Sequence, residues 1–232
     1  MGQRPYVVLS CCVSLDGYLD AGGAERLLLS NDADFDRVDG VRAGCDAILV
    51  GATTVRNDDP RLLIRSERRR RERMAAGLPA APVKVTLTGG GDLDPGARFF
   101  TAGDGDKLVY CPDPTVAGLE SRVGAHAKVL GLGPEVRMAD LVADLATRGI
   151  RRLMVEGGGT VHTQFLTAGL ADELQLVVAP FFVGDSRARR FVGDGTFPWH
   201  PGNRAELVET RAIGDVALLR YALSGRCPPA AG

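Results

Sequence analysis

The sequence is poor in the residues that build metal centres and disulfide frameworks. Its three histidines, His126, His162 and His200, are isolated from one another. No His-Glu-x-x-His, Cys-x-x-Cys or Gly-x-Ser-x-Gly pattern occurs, which argues against a metal and against a serine nucleophile. Five cysteines are scattered at Cys11, Cys12, Cys45, Cys111 and Cys227; an odd, irregular set points to reduced thiols and a cytoplasmic setting. Neither sign of charge dominates. With 28 basic and 29 acidic residues the net charge is −1, so no global attraction to nucleic acid or anionic membrane is expected. No run approaches the roughly 18 apolar residues of a membrane span. Met1 to Pro5 lead directly into a strand-like run, so no signal peptide is expected.

Glycine is in excess: 30 of 232 residues, about 13% against a usual ~7%. There is no collagen period, and the glycines fall at turns between apolar runs. Short apolar runs at Tyr6–Val13, Asp46–Val50, Val83–Thr88, Lys107–Tyr110, Ala127–Leu130, Arg152–Glu156 and Leu174–Ala179 read as strands. Helical patterns lie between them at Asn31–Ala43, Met138–Arg148 and Thr160–Ala168. In the second of these, Met138, Leu141, Val142 and Leu145 form one stripe. Asp144 and Arg148 make an i,i+4 pair on the wet side, and Gly149 stops the helix. Ala205–Arg211 and Val216–Leu223 flank a turn. The alternation predicts an α/β fold with a mostly parallel central sheet flanked by helices and an antiparallel C-terminal edge hairpin. One domain over residues 1–225 and a flexible tail over 226–232 are expected.

Three segments carry candidate chemistry. Leu153 to His162 is a hydrophobic strand ending in Glu156, then three glycines, then a helix start. Glycines admit close approach of a ligand, and the open N–H groups of the helix favour a phosphate. Ala47 to Arg65 repeats the plan, with Gly51, Thr53 and Thr54 after a buried strand, and an Asp58-Asp59-Pro60 turn. Arg65–Arg73 holds six arginines in nine residues. With balanced charge and no interleaved aromatics it reads as a solvated helix or loop rather than a nucleic-acid site, with Arg65 set apart because it follows an apolar run. Lacking a metal or a nucleophile, the chain reads as a binder of a phosphorylated cofactor that brings its own chemistry.

Together these segments resemble the pyrimidine reductase family of riboflavin biosynthesis. The matching stretches are Val13-Ser14-Leu15-Asp16-Gly17, Leu28-Leu29-Ser30, Val41 to Gly51, Thr54 to Leu62, Val155 to Gly159, Gly169 to Leu174, Ala179-Pro180 and Gly184. The resemblance implies a dihydrofolate-reductase-like fold. It also implies NADPH-dependent reduction of a ribosylaminopyrimidine 5′-phosphate to its ribitylamino form, by hydride attack on the opened imine. Neither deaminase motif of the two-domain members is present, so a stand-alone reductase is implied. Carried over by position, the cofactor meets Val13, Leu27, Thr54, Asp58, Gly89, Gly158, Gly159, Thr160, Val161, His162, Thr163 and Gln164. The phosphorylated small-molecule substrate meets Glu25, Arg42, Leu62, Arg65 and Glu156, with Glu156 also the candidate catalytic group and Arg42 and Arg65 suited to a phosphate. A homodimer is implied. Tyr18 stands where members carry Lys or Arg, and Glu25-Arg26-Leu27 replaces a polar-Trp pattern. Both departures leave open a same-fold reductase acting on dihydrofolate or a specialised-metabolite pyrimidine or pterin. A nucleotide-binding protein without turnover and an RNA-binding accessory are the readings from other classes.

Overall fold

The computed structural model describes residues 4–23 and 27–229. Among them, the elements of the first half are β1 (Tyr6–Val13), α1 (Asp32–Ala43), β2 (Ala47–Gly51), α2 (Ala52–Asp58), α3 (Glu67–Ala75), β3 (Val83–Leu87), α4 (Arg98–Thr101) and β4 (Lys107–Cys111). The rest are α5 (Val116–Val123), β5 (Lys128–Gly131), α6 (Met138–Thr147), β6 (Arg152–Gly157), α7 (Gly159–Thr167), β7 (Glu173–Val178), β8 (Glu206–Ile213) and β9 (Val216–Ala222). The chain divides into two compact units, Met1–Pro5 with Val38–Met154 and Tyr6–Arg37 with Val155–Gly232. The mostly parallel strands with an antiparallel C-terminal pair agree with the α/β expectation.

In the first unit β2, β3, β4 and β5 form a parallel ladder. β2 is buried along its whole length, as a parallel strand covered on both faces must be. The start of β6 is fixed by Asp46, whose carboxylate accepts the Arg151 and Arg152 N–H groups at 2.8 and 2.9 Å. The core gathers Ile48, Val50, Phe99, Phe100, Val109, Leu119 and Met154. Each such side chain, fully buried, contributes about 1.5–3 kcal/mol. α6 buries the foreseen stripe and ends at Gly149, whose φ is 81°. Asp144 and Arg148 form the expected i,i+4 pair at 2.6 Å, with Arg148 exposed and Asp144 half-buried, and Asp144 also accepts from Tyr110 Oη at 2.6 Å. Helices α4 and α5 were not foreseen: α4 is a single turn, and Gly118 breaks the short pattern of α5, in which only Leu119 and Val123 are buried.

The arginine run forms α3, and it is only partly solvated. Arg73 is 4% exposed and donates to the carbonyls of Pro79, Ala43 and Cys45 at 2.9, 2.6 and 2.8 Å. Arg69 donates to the buried Asp39 at 2.9 Å. Arg68 and Arg71 face Glu72 and Glu67 on the wet side, as expected.

In the second unit β1 and β7 pair in parallel, and β7, β9 and β8 follow antiparallel. α1 starts here, capped by Asn31, whose Oδ1 accepts the Asp34 N–H at 3.0 Å while its Nδ2 donates to Ile213 O at 2.7 Å. Glu173 lies buried on β7. Burial alone would raise its pKa, but hydrogen bonds from Gln175, Tyr6 and Arg220 outweigh it and leave the carboxyl lowered. Buried Asp172 collects the Val7 N–H at 2.9 Å, Ser224 Oγ at 2.6 Å and Arg226 Nη1 at 3.1 Å. The tail expected to be loose from residue 226 is therefore anchored at its first residue; its last three positions, 230–232, lie outside the described residues.

Candidate functional site

Each unit carries part of the expected site, and each is built by its own strand ends. In the second unit β6 delivers Glu156, half-buried, and then the turn Gly157-Gly158 into α7. Gly157 has φ 117°, and its peptide bond to Gly158 is cis. A Cβ on Gly159 would sit 2.5 Å from the Arg190 carbonyl oxygen, and one on Gly157 would sit 3.1 Å from His162 Nε2. Close packing against a backbone oxygen bars a side chain at Gly159, and the positive φ favours glycine at Gly157. Gly158 is the N-cap of α7 and provides no side-chain cap, so the first N–H groups of the helix have no side-chain acceptor of their own.

The side chains along α7 divide sharply. Thr160 and Gln164 are exposed. Thr163 Oγ1 donates to Gly159 O at 2.8 Å and accepts from the Gly193 N–H at 2.9 Å. Val161 and His162 turn inward at 5% and 0% exposure, which leaves only their backbones able to meet a ligand. Among the described residues neither ring nitrogen of His162 has a hydrogen-bond partner, Phe191 covers the ring at 5.3 Å, and burial pushes its pKa down to about 4.

At the end of β1, Val13 is buried and leads into the Ser14–Gly17 turn. Ser14 Oγ donates to Asp16 Oδ1 at 2.6 Å, and Asp16 also accepts the N–H groups of Val183 and Gly184 at 3.0 and 2.8 Å. The Ser14 hydroxyl first, and those amides with it, hold Asp16 at about 2. Asp16 is therefore a fastener that ties this turn to the loop after β7. Tyr18, next along, is 6% exposed and carries the Arg190 guanidinium over its ring at 5.0 Å. Leu27 is half-buried, and Leu28 beside it borders a cleft of about 410 Å³ of mixed lining that also takes in Asn31, Asp32, Phe35, Phe181 and Asp215. Glu25 lies outside the described residues.

In the first unit Thr54 and Asp58 lie on α2 at the end of β2, half-buried and exposed respectively. Gly89 follows β3, parallel to β2, with open space around its α-carbon. Arg42 donates to Leu63 O at 3.2 Å. Asp39, which the sequence reading missed, organises the next segment: its carboxylate accepts the backbone N–H groups of Arg65 and Ser66 and the Arg69 guanidinium. The exposed Arg65 side chain is thereby carried on a fixed backbone. Leu62 has φ 47° and a fully buried side chain in the core, so only its backbone can reach a substrate. The only sequence signal for Asp39 is an acid on the inner face of a helix, which spacing from Val38 and Val41 shows once burial is known.

The sequence profile described as the RibD C-terminal domain matches residues 5–219. The 2,5-diamino-6-ribosylamino-4(3H)-pyrimidinone 5′-phosphate reductase of Methanothermobacter thermautotrophicus is 34% identical over 96% of this chain and 100% of its own length. The like-named protein of Archaeoglobus fulgidus is 34% identical over 78% of this chain and 83% of its own. Among solved structures, Acinetobacter baumannii RibD superposes with a TM-score of 0.74 at 26% identity; 94% of this chain is covered, and the chain spans 58% of that one. A pyrimidine reductase-like protein of Corynebacterium diphtheriae shares the fold with a TM-score of 0.77 at 19% identity, over 94% and 91% of the two chains. With the profile matched over nearly its whole length, the chain belongs to the RibD C-terminal domain family.

Proposed function

We propose that the protein is an NADPH-dependent oxidoreductase of riboflavin biosynthesis. It reduces 2,5-diamino-6-ribosylamino-4(3H)-pyrimidinone 5′-phosphate to the ribitylamino compound. The observation that carries this reading is the glycine turn at the end of β6. Its Gly159 bars a side chain, and the uncapped start of α7 presents N–H groups to an anion. That donor set fits the diphosphate of a dinucleotide, and it lies in a chain whose full-length relatives are named for this reduction.

A nicotinamide cofactor held at the glycine turn would supply hydride-transfer chemistry for this reduction. The chain's own residues bind and orient. The backbone of Gly158 to Gln164, with Thr160 and Gln164 side chains at the surface of α7, holds the phosphorylated cofactor, and Val13 and Leu27 border it. Thr54, Asp58 and Gly89 are the cofactor residues proposed on the first unit. Arg65, fixed through Asp39, and Arg42 take the substrate phosphate, with the Leu62 backbone beside them. Glu156 holds the amino-bearing ring or steadies the cationic imine through its charge. Glu25 is proposed as a further substrate contact. Much of the rate comes from this positioning.

The test is consumption of NADPH on addition of the ribosylaminopyrimidine phosphate, with the deaminated uracil analogue and dihydrofolate as comparators. A second reading, a related pyrimidine or pterin as substrate, is favoured by the buried Tyr18 under Arg190, and the same panel decides between them. A homodimer through the C-terminal hairpin is supported by the exposed edge strand β8, where Leu207 is 51% exposed; light scattering tests it. Free thiols at all five cysteines are compatible with a cytoplasmic location. Among the described residues no helix is long and apolar enough to cross a membrane.

A further inference from the structure

The buried strand β3 carries a lysine that the proposed reduction does not use. Lys84, its second residue, is fully buried. Its Nζ donates to Phe99 O at 3.1 Å and to Ala102 O at 2.5 Å, carbonyls of α4 and its C-terminal cap, and lies 5.9 Å from the centre of the Phe99 ring. Among the described residues it meets no carboxylate. The charged groups that face it are both cations: Lys107 at the start of β4 and Arg42 at the end of α1. Burial first, and then these two charges, bring its pKa down to about 8. A buried cation is costly, and an apolar side chain of like size would avoid that cost. With two further cations around it and no acid, an anion from outside the chain is the natural counter-charge.

The contacts of Lys84 lead to the place where such an anion is expected. α4 is a single turn, too short to hold itself in position. Its start is tied to Asp59, whose carboxylate accepts from Arg98 N at 2.5 Å and Nε at 2.8 Å, and its end is tied to Lys84. The segment 59–65 packs along it between these ties. Leu62 shares a core with Phe99 and Phe100, and a Cβ on Gly103 would stand only 2.7 Å from Leu63 Cδ2. Leu63 O in turn accepts from Arg42 at 3.2 Å, and Arg65 follows two residues later. Lys84 is thus joined through α4 to the segment that carries Arg65 and is held by Arg42.

We propose that Lys84 is a positioning residue for the substrate phosphate: by fastening the end of α4 it sets the segment 62–65, and its buried charge adds to the field that Arg42 and Arg65 present to the anion. The proposal deepens the reading of those two arginines as the phosphate clamp and rests on it.

The experiment uses the whole protein as wild type, Lys84→Met, Lys84→Arg and Arg65→Ala, each checked for folding by circular dichroism. Inorganic phosphate is titrated between about pH 6.5 and 9.5 and followed by the amide shifts of residues 62–66. The NADPH Kd by fluorescence, and KM and kcat for the pyrimidine phosphate, are measured in parallel. At neutral pH, Lys84→Met should bind phosphate about fivefold more weakly and show a matching rise in KM, with kcat and the NADPH Kd unchanged. Above about pH 8, where Lys84 gives up its proton, wild type should lose the same affinity. Lys84→Met should be weak and flat across this range, and Lys84→Arg, which keeps its charge, tight and flat. Weaker phosphate binding in Arg65→Ala without any in Lys84→Met overturns the proposal and leaves the arginine clamp standing. Wild-type binding that Arg65→Ala leaves unchanged sinks the clamp and the proposal with it. A rise in the NADPH Kd as large as that in KM in Lys84→Met marks a merely structural lysine and also overturns it. Should Lys84→Met fail to fold, Lys84→Arg decides alone: tight binding kept above about pH 8 supports the proposal, and a loss like that of wild type overturns it.

Discussion

Two arginine-rich segments, Arg65–Arg73 in the first unit and Arg187–Arg190 in the second, use the same side chain to different ends. In the first, Arg73 is sunk among three carbonyls, Arg69 pairs with buried Asp39, and Arg68 and Arg71 face glutamates on the surface. In the second, two arginines are neutralised and the third lies on an aromatic ring. Density of arginine in a sequence therefore says little about binding. What each guanidinium meets decides whether it builds the fold, decorates the surface or faces a ligand.

Four outcomes sharpen or break that contrast. The largest effect is expected at Arg73. Arg73→Ala removes a buried donor from three carbonyls and should lower stability by about 3 kcal/mol in urea unfolding, with KM and kcat of the surviving enzyme unchanged. A loss under about 1 kcal/mol would return Arg73 to the solvated class.

The next effect is one of pH, at the turn beneath Arg190. His162 titrates near 4 in the folded chain and near 6.5 when unfolded, because burial disfavours its charged form. The unfolded state thus takes up a proton first as pH falls. The stability contributed by neutral His162 is complete above about pH 6.5 and is lost progressively toward pH 4, by roughly 2–3 kcal/mol in all. His162→Gln should flatten this part of the pH–stability curve; an unchanged slope in that variant would place the titration elsewhere.

Smaller again is the contrast within one segment. Arg65→Ala should raise the substrate KM about tenfold, a loss of ~1.4 kcal/mol of binding, with little change in stability. Arg69→Ala should act mainly on stability, through Asp39. Equal KM values for the two variants would mean that the phosphate clamp is misplaced. The smallest effect belongs to Arg71→Ala, where loss of an exposed pair at 3.7 Å should shift stability by less than about 0.5 kcal/mol.

The order of strands and helices was legible in the sequence because parallel strands are short apolar runs and their ends are marked by glycine. Ala47–Gly51, Glu173–Val178 and α6 lie within a residue or two of where periodicity set them. α5 escaped because a two-turn helix with only Leu119 and Val123 buried and a glycine at Gly118 carries almost no period. At the site, the glycine turn before α7 was legible from three consecutive glycines after a strand. The inward turn of His162 was not, since a histidine on a helix start reads the same whether it faces ligand or core. Asp16, Asp39 and Arg190 act through partners 20 to 170 residues away in the chain, and no local pattern encodes such pairings.

The central claim is tested most directly by incubating the protein with NADPH and 2,5-diamino-6-ribosylamino-4(3H)-pyrimidinone 5′-phosphate. Loss of nicotinamide absorbance and the product mass are followed together. The account predicts stoichiometric oxidation of NADPH and a product carrying one added hydride and one added proton on the ribityl chain. No oxidation at saturating substrate, with the protein folded and the cofactor bound, would contradict it.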